Sequence, residues 1–455
     1  MIRSIAFVLA AAALMAGNPV FSQPAPPVST TDDAQTAQRV RDEFLHAWSG
    51  YKQYAWGHDE LKPLTKTHRD WHEAPLLMTP VDAMSTMLVM GLTEEATATR
   101  DFVAKNLSFD HDFFVKNFEI TIRILGGLLS VYQQTGDERL LKLADNLGSR
   151  LVPVFDSPTG LPFMYVNMKT GAVRGDVTNP AEIATLLVEF GTLSKLTGKP
   201  EYFDKAKKAL VALYKRRSKI GLVGSSIDVK TGVWTDSTSH ISGGIDSYYE
   251  YLLKCWMLFD DAECEKMWRA SVGAVNKYLA DERPNGLWYS YANMNTGART
   301  ATRYGALDAF FPAVLALSGD MDRARRLQDS SYLMWNTFGI EPEEMDYTSM
   351  KVTHPGYPLR PEIIESAYYL FYFTKDARYR EMGRVILDGL VQHCRTDVGY
   401  AALKDVQTKE KRDNMESFFL AETLKYLYLL FAPPETIDLS KTVFNTEAHP
   451  IRKDW

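Results

Sequence analysis

The sequence predicts an all-α fold, closed into a ring of about seven inner and seven outer helices. Three observations carry this. A helix–turn–helix unit of roughly 45 to 65 residues recurs along the chain. The helix before each turn is apolar on nearly every face, so it must be enclosed. No shift in composition marks a second domain among the 455 residues.

Taken in order, Arg3 followed by the apolar run Ile5 to Ala16 and Val20-Phe21-Ser22 reads as a secretory signal over residues 1–22. That run falls far short of the ~20 residues a membrane span needs, and no later stretch supplies one. Residues 23–36 are polar and Pro-rich and are expected to form a disordered linker. A single barrel domain is expected over 37–455, starting with a helix at Gln35–Gln53 and ending with one at Met415–Leu430. Turns fall at Gly91-Leu92-Thr93, Thr135-Gly136-Asp137, Thr197-Gly198-Lys199, Phe259-Asp260-Asp261, Ser318-Gly319-Asp320 and Thr374-Lys375-Asp376. Amphipathic outer helices follow them, such as EYFDKAKKALVAL and ARYREMGRVILDGL, with apolar residues at i, i+3, i+4 and i+7. A second repeat links the units: Gly160, Gly221 and Gly286, with fainter copies at Gly339 and Gly399, each open a short β-hairpin.

Composition narrows function. Fifty-one basic against 57 acidic side chains give a net charge of −6, which argues against nucleic acid as a partner. Aromatics at 12% suit flat apolar ligands such as sugars, although a large core also consumes them. Cys255, Cys264 and Cys394 lack a CxxC spacing, which argues against structural zinc, and a bridge between Cys255 and Cys264 stays open. His68 and His72, four apart without an HExxH context, read as a polar helix face.

The most informative feature is charge inside the apolar inner helices. Glu119 and Arg123 interrupt FFVKNFEITIRILGGLL, Asp246 and Glu250 lie in IDSYYEYLL, and Arg360, Glu362 and Glu365 lie in LRPEIIESAYYLFYF. Glu416 and Glu422 occur in MESFFLAETLKYLYLLF, and Asp82 and Glu189 belong to the same pattern. An unpaired buried charge costs several kcal/mol or shifts its pKa, so these acids imply a wet, acidic cavity on the barrel axis. One Glu–Arg pair at i,i+4 is an ordinary helix ion pair, whereas two acids at that spacing, Asp246 and Glu250, repel. Pro361 suits a first helical position and places Glu362 in a first turn, at the end where the hairpin connections gather. Carboxylates without a catalytic Cys, nucleophile elbow or phosphate loop suggest glycosidic bond cleavage by a protonated and an ionised carboxyl.

The chain resembles glycoside hydrolase family 47, the class I α-1,2-mannosidases. The matching motifs are AWGHDELKPL (Ala55–Leu64), FEITIRILGGLLS (Phe118–Ser130), EFGTLSKLTG (Glu189–Gly198), DSYYEYLLK (Asp246–Lys254), LRPEIIES (Leu359–Ser366), MESFFLAETLKYLYLLF (Met415–Phe431) and VFNTEAHP (Val443–Pro450). The resemblance implies an (α/α)7 barrel plugged by a C-terminal hairpin, and an inverting, Ca²⁺-dependent exo-hydrolase of terminal α-1,2-linked mannose. It implies Glu119 as general acid, Glu362 as base and Asp246 as the third essential carboxylate. Arg123, Arg360, Glu365, Phe418 and Glu422 would line the subsite of the departing mannose. Thr446 would bind Ca²⁺ through its hydroxyl and carbonyl, with Glu447 supporting the surrounding waters. The alternative is a mannose-glycan-binding relative with weak or no catalysis, and more remotely a lyase. Two departures stand out: Tyr304–Gly319 lacks the disulfide and the histidine of the eukaryotic enzymes (near Ala306), and Gly244 replaces the residue that selects the glycan arm. With a signal and no anchor, a bacterial member is expected, monomeric, and periplasmic or secreted.

Overall fold

The computed structural model describes residues 30–454. Among these described residues, fourteen helices form two concentric rings. The inner ring comprises Met78–Val89, 117–135, 180–197, Asp246–Phe259, 307–317, Glu362–Thr374 and 419–431. Each packs on the next, and the last returns to Met78–Val89, so the ring closes as an (α/α)7 barrel. The outer ring comprises Thr93–Asn106, Glu138–Leu151, Pro200–Lys215, Ala262–Tyr278, Met321–Phe338 and Arg378–His393, with Thr30–Tyr54 completing it against 419–431.

Turn chemistry explains the sharp inner-to-outer reversals. At Thr135-Gly136-Asp137, Gly136 takes φ 69° to end one helix, and the Asp137 carboxylate accepts the Arg139 N–H to start the next. All five expected hairpins form, pairing Tyr165–Asn167 with Val173–Arg174 and its counterparts after Gly221, Gly286, Gly339 and Gly399. Among the described residues no helix is long and apolar enough to cross a membrane.

The C-terminal hairpin, Thr442–Phe444 paired with Pro450–Arg452, is the plug. Phe444 is fully buried among the rings of Tyr368, Tyr369 and Tyr426. The Gly126-Gly127 pair of the facing inner helix makes room for it. A Cβ on Gly126 would lie 2.6 Å from Asn445 Nδ2, and one on Gly127 would lie 2.7 Å from Val81 and 3.3 Å from His449.

Two sequence expectations are corrected. The linker over 23–36 does not persist to residue 36: the first helix begins at Thr30, and Asp33 in its first turn is buried against Arg380 at 2.6 Å and Arg384 at 2.7 Å. Asp32 and Asp33 also favour a helix start through the positive N-terminal dipole. The signal over 1–22, with the first part of the linker, lies outside the described residues. His68 and His72 share no helix face either. Thr67–Arg69 is a strand paired with Glu60–Lys62, and His72 stacks on Phe113. Cys255 and Cys264 are joined in a disulfide, and Cys394 is a buried free thiol.

Candidate active site

One cavity of about 340 Å³ opens at the hairpin end of the barrel and is closed below by the hairpin tip. It brings together Glu119, Arg123, Asp246, Arg360, Glu362, Glu365, Phe418, Glu422, Thr446 and Glu447. Glu119 and Arg123 come from the start of helix 117–135, where Ile120–Leu125 widens into a π-helical turn. Glu422 sits in a second such turn, Phe419–Thr423. These wide turns rotate side chains off the regular 3.6-residue repeat and recur at functional sites. Asp246 and Glu362 each occupy the first position of their helix, where free N–H groups and the dipole favour a carboxylate.

Arg123 organises one wall. Its Nε and Nη2 lie 3.1 Å from Glu119 Oε2, its Nη1 bonds Glu447, and Asp82 lies 3.6 Å away. Arg360 is held in a two-pronged ion pair by Glu343. Both guanidiniums lie 5.6 Å from the centre of the Phe418 ring. Lys116 reaches Glu182 at 2.6 Å and Glu119 at 3.7 Å.

Eight carboxylates line the cavity (Glu119, Glu182, Asp246, Glu250, Glu362, Glu365, Glu422 and Glu447) against three cations, Lys116, Arg123 and Arg360. Enclosure raises the affinity for protons of six of them, Glu182, Asp246, Glu362, Glu365, Glu422 and Glu447. Burial, with Glu250 nearby, pushes Asp246 up to about 7, and burial with Glu343 and Asp246 nearby brings Glu362 to about 7. Burial, then repulsion from Glu250, lifts Glu365 to about 8. Glu422 and Glu447 are held well above the carboxylate range, by burial first and then by charged neighbours. Asp246 accepts from the Ser247 N–H at 2.8 Å, while Glu362 Oε2 is buried without a hydrogen-bond partner.

The hairpin tip is set by Asn445, which donates to the Ile122 carbonyl at 2.9 Å and to Glu189 at 2.8 Å and accepts the N–H groups of Glu447 and His449. The Thr446 N–H donates to the Tyr251 hydroxyl, which itself donates to Glu189. Sequence reasoning assigned no role to Glu343, Lys116, Glu182, Asn445, Lys425 or His449. Lys425 carried the same signal as the acids, a charge inside an apolar inner helix. Glu343 lies in a loop and carried none. Gly244 lies on the cavity wall with φ 90°, a conformation strained for any side chain.

A helical barrel whose cavity gathers eight carboxylates from several helices and the hairpin tip defines a carbohydrate-cleaving enzyme of the glycoside hydrolase class. The chain belongs to glycosyl hydrolase family 47, whose family model matches residues 43–453. It is 38% identical to the mouse ER degradation-enhancing alpha-mannosidase-like protein 2, over 94% of this chain and 79% of that one. It is 36% identical to the mannosyl-oligosaccharide 1,2-alpha-mannosidase MNS1 of Arabidopsis thaliana, over 92% and 79%. The structure superposes on the alpha-1,2-mannosidase from Trichoderma reesei with a TM-score of 0.85 at 28% identity, over 92% of this chain and 99% of that one. These relatives are from an animal, a plant and a fungus, so the expectation of a bacterial member is not borne out.

Proposed function

We propose that this glycoside hydrolase is an inverting, calcium-dependent exo-α-1,2-mannosidase acting on oligomannose chains of the N-glycan type. The observation that carries the reading is the meeting of Glu119, Asp246 and Glu362, from three separate helices, in one cavity closed at its far end. A blind cavity admits a chain end and not a chain middle, which supports exo-cleavage. The α-1,2-mannosidase names of the relatives support the linkage.

In this reading Glu119 protonates the glycosidic oxygen as its bond to the anomeric carbon breaks. Glu362 takes a proton from the water attacking the opposite face. The free Oε2 of Glu362 is the acceptor, and burial makes it a stronger base than a surface carboxylate. Asp246, tied to Ser247, is the third carboxylate facing the sugar. Phe418 offers a ring face for the departing mannose, and Arg123, Arg360, Glu365 and Glu422 offer hydrogen bonds to its hydroxyls.

The residues present fit calcium. The surplus of carboxylates over cations and the proton affinity forced on Glu422 and Glu447 fit an added hard cation. Thr446 would hold it through its hydroxyl and backbone carbonyl, with Glu447 supporting its waters. When bound, the ion supplies positive charge that orients sugar hydroxyls and water. The Cys255–Cys264 disulfide supports an oxidising compartment.

The test is mannose release from a panel of oligomannose glycans, in calcium and after chelation. Release of α-1,2-linked mannose only, and only with calcium, is expected. Binding of these glycans without release in calcium would favour a glycan-binding role and overturn the reading.

A further inference from the structure

Outside the cavity, the hairpin of strands Glu60–Lys62 and Thr67–Arg69 assembles a cluster that the glycosidase chemistry does not use. His68 on the second strand and Asp70 just past its end come together, while Arg69 between them turns to the buried Glu60. His58, just before the first strand, folds against them. Its Nδ1 lies 2.8 Å from Asp70 Oδ2, and its ring lies face to face with that of His68, centroids 3.4 Å apart and planes 12° apart. The ligand-capable atoms of His58, His68 and Asp70 all lie within 4.8 Å of one another.

We propose that His58, His68 and Asp70 form a surface site for a borderline divalent cation of the zinc type, distinct from any calcium position on the barrel axis. Two imidazoles and a carboxylate are zinc donors, whereas calcium takes oxygen alone. In a tetrahedral site with bonds of about 2.1 Å, neighbouring donor atoms stand about 3.4 Å apart; here His58 Nδ1 and Asp70 Oδ2 are 2.8 Å apart and all the donor atoms lie within 4.8 Å of one another. Two of the three donors are already fixed. Asp70 Oδ1 accepts the Asp59 N–H at 2.9 Å, and the His58 carbonyl accepts from the Tyr51 hydroxyl at 2.6 Å. Asp59 in turn accepts the backbone N–H groups of Trp71, Leu76 and Met78, locking the chain that follows. Such backing of ligands by a second layer of hydrogen bonds is what metal sites require. The stacked rings share no plane in which one ion could meet both, so binding needs the exposed His68 to swing out of the stack, a movement that leaves the core in place. Three protein donors leave a fourth position for water. The hairpin leads directly into Trp71, whose ring lies 5.5 Å from the Arg123 guanidinium, so an ion here would clamp the segment bordering the cavity.

The test uses the full chain, saturated with calcium and with its disulfide intact, titrated with Zn²⁺ by calorimetry and with Co²⁺ by visible absorption. One equivalent of Zn²⁺ should bind, and Co²⁺ should give the strong d–d bands of a four-coordinate site. His68→Ala, a surface change, should weaken Zn²⁺ binding roughly tenfold or more and abolish the Co²⁺ bands, and Asp70→Asn should weaken binding as well. Absence of a stoichiometric Zn²⁺ event, or one that His68→Ala leaves unchanged, would overturn the assignment. Zinc that binds only by displacing calcium, read as loss of the event when calcium is raised, would also overturn it.

Discussion

Two sets of buried charge lie a few residues apart in this barrel and are treated in opposite ways. Beneath the cavity, Lys425 donates to Ser85 Oγ at 2.9 Å and to the Ala448 carbonyl at 2.6 Å. His449 contacts Ser85 through Nδ1 at 3.0 Å and Asp82 through Nε2 at 3.3 Å. Asp82 also accepts from the Ser417 hydroxyl. Every member of this floor has protein partners, and the hairpin tip is pinned by them. Along the cavity wall, Glu362 keeps an unpartnered oxygen and Asp246 has only Ser247 of its own helix as a hydrogen-bond donor. Among the buried oxygens left without a protein partner, Glu362 Oε2 belongs to a residue lining the cavity, where a bound ligand or water supplies the partner. The floor is architecture, and the wall is reserved for chemistry.

The contrast can be broken by experiment. The largest effect is expected from metal removal: excess EDTA should abolish mannose release and added Ca²⁺ should restore it. Undiminished release would remove the metal role of Thr446. Next, Glu362→Gln should cut turnover by about 10²- to 10⁴-fold while oligomannose still binds by calorimetry. Its unfolding midpoint should not fall, since no hydrogen bond to Oε2 is lost. An active variant would refute the base assignment.

Lys425→Met should behave the other way round. Stranding the Ala448 carbonyl and leaving Ser85 with His449 alone should cost about 1–3 kcal/mol in denaturant unfolding, with a smaller loss of turnover than Glu362→Gln. Burial holds Lys425 down at about 7, so the lysine is already easily deprotonated where it sits. A variant as stable as the parent but as inactive as Glu362→Gln would erase the distinction between floor and wall.

The smallest effect concerns His240 on the mouth loop, whose Nδ1 accepts the Ser242 N–H at 3.2 Å and whose ring stacks on Tyr291. Burial lowers its pKa from 6.5 to about 4. The unfolded chain therefore binds the extra proton between these values, and stability contributed by the neutral ring is lost as pH falls from about 6.5 towards 4. About 2 kcal/mol should disappear by pH 5, and His240→Gln should flatten that slope in unfolding measured against pH. An unchanged slope would mean that His240 titrates as a surface histidine.

Much of this was legible in the sequence because the governing signals are local. Seven enclosed helices announce themselves by apolar residues on every face, and charges such as Glu119 or Glu365 stand out against that background. Other features depend on distant partners. The helix start at Thr30 depends on Arg380 and Arg384, far along the chain, which hold Asp33. The π-helical turns at Ile120–Leu125 and Phe419–Thr423 have ordinary helix-forming sequences, and nothing local betrays the extra residue in each turn. Glu343 earns its place only by meeting Arg360 seventeen residues later. The histidines show the same limit: spacing suggested His68 with His72, whereas a hairpin register joins His68 to His58.

The central claim is that opposed carboxylates on the cavity wall cleave the terminal mannosidic bond with a single displacement by water. Proton NMR of Manα1-2Man during the first minutes of hydrolysis tests it most directly. The account predicts β-mannose as the first anomer released. α-Mannose appearing first, or an unsaturated sugar, would contradict it.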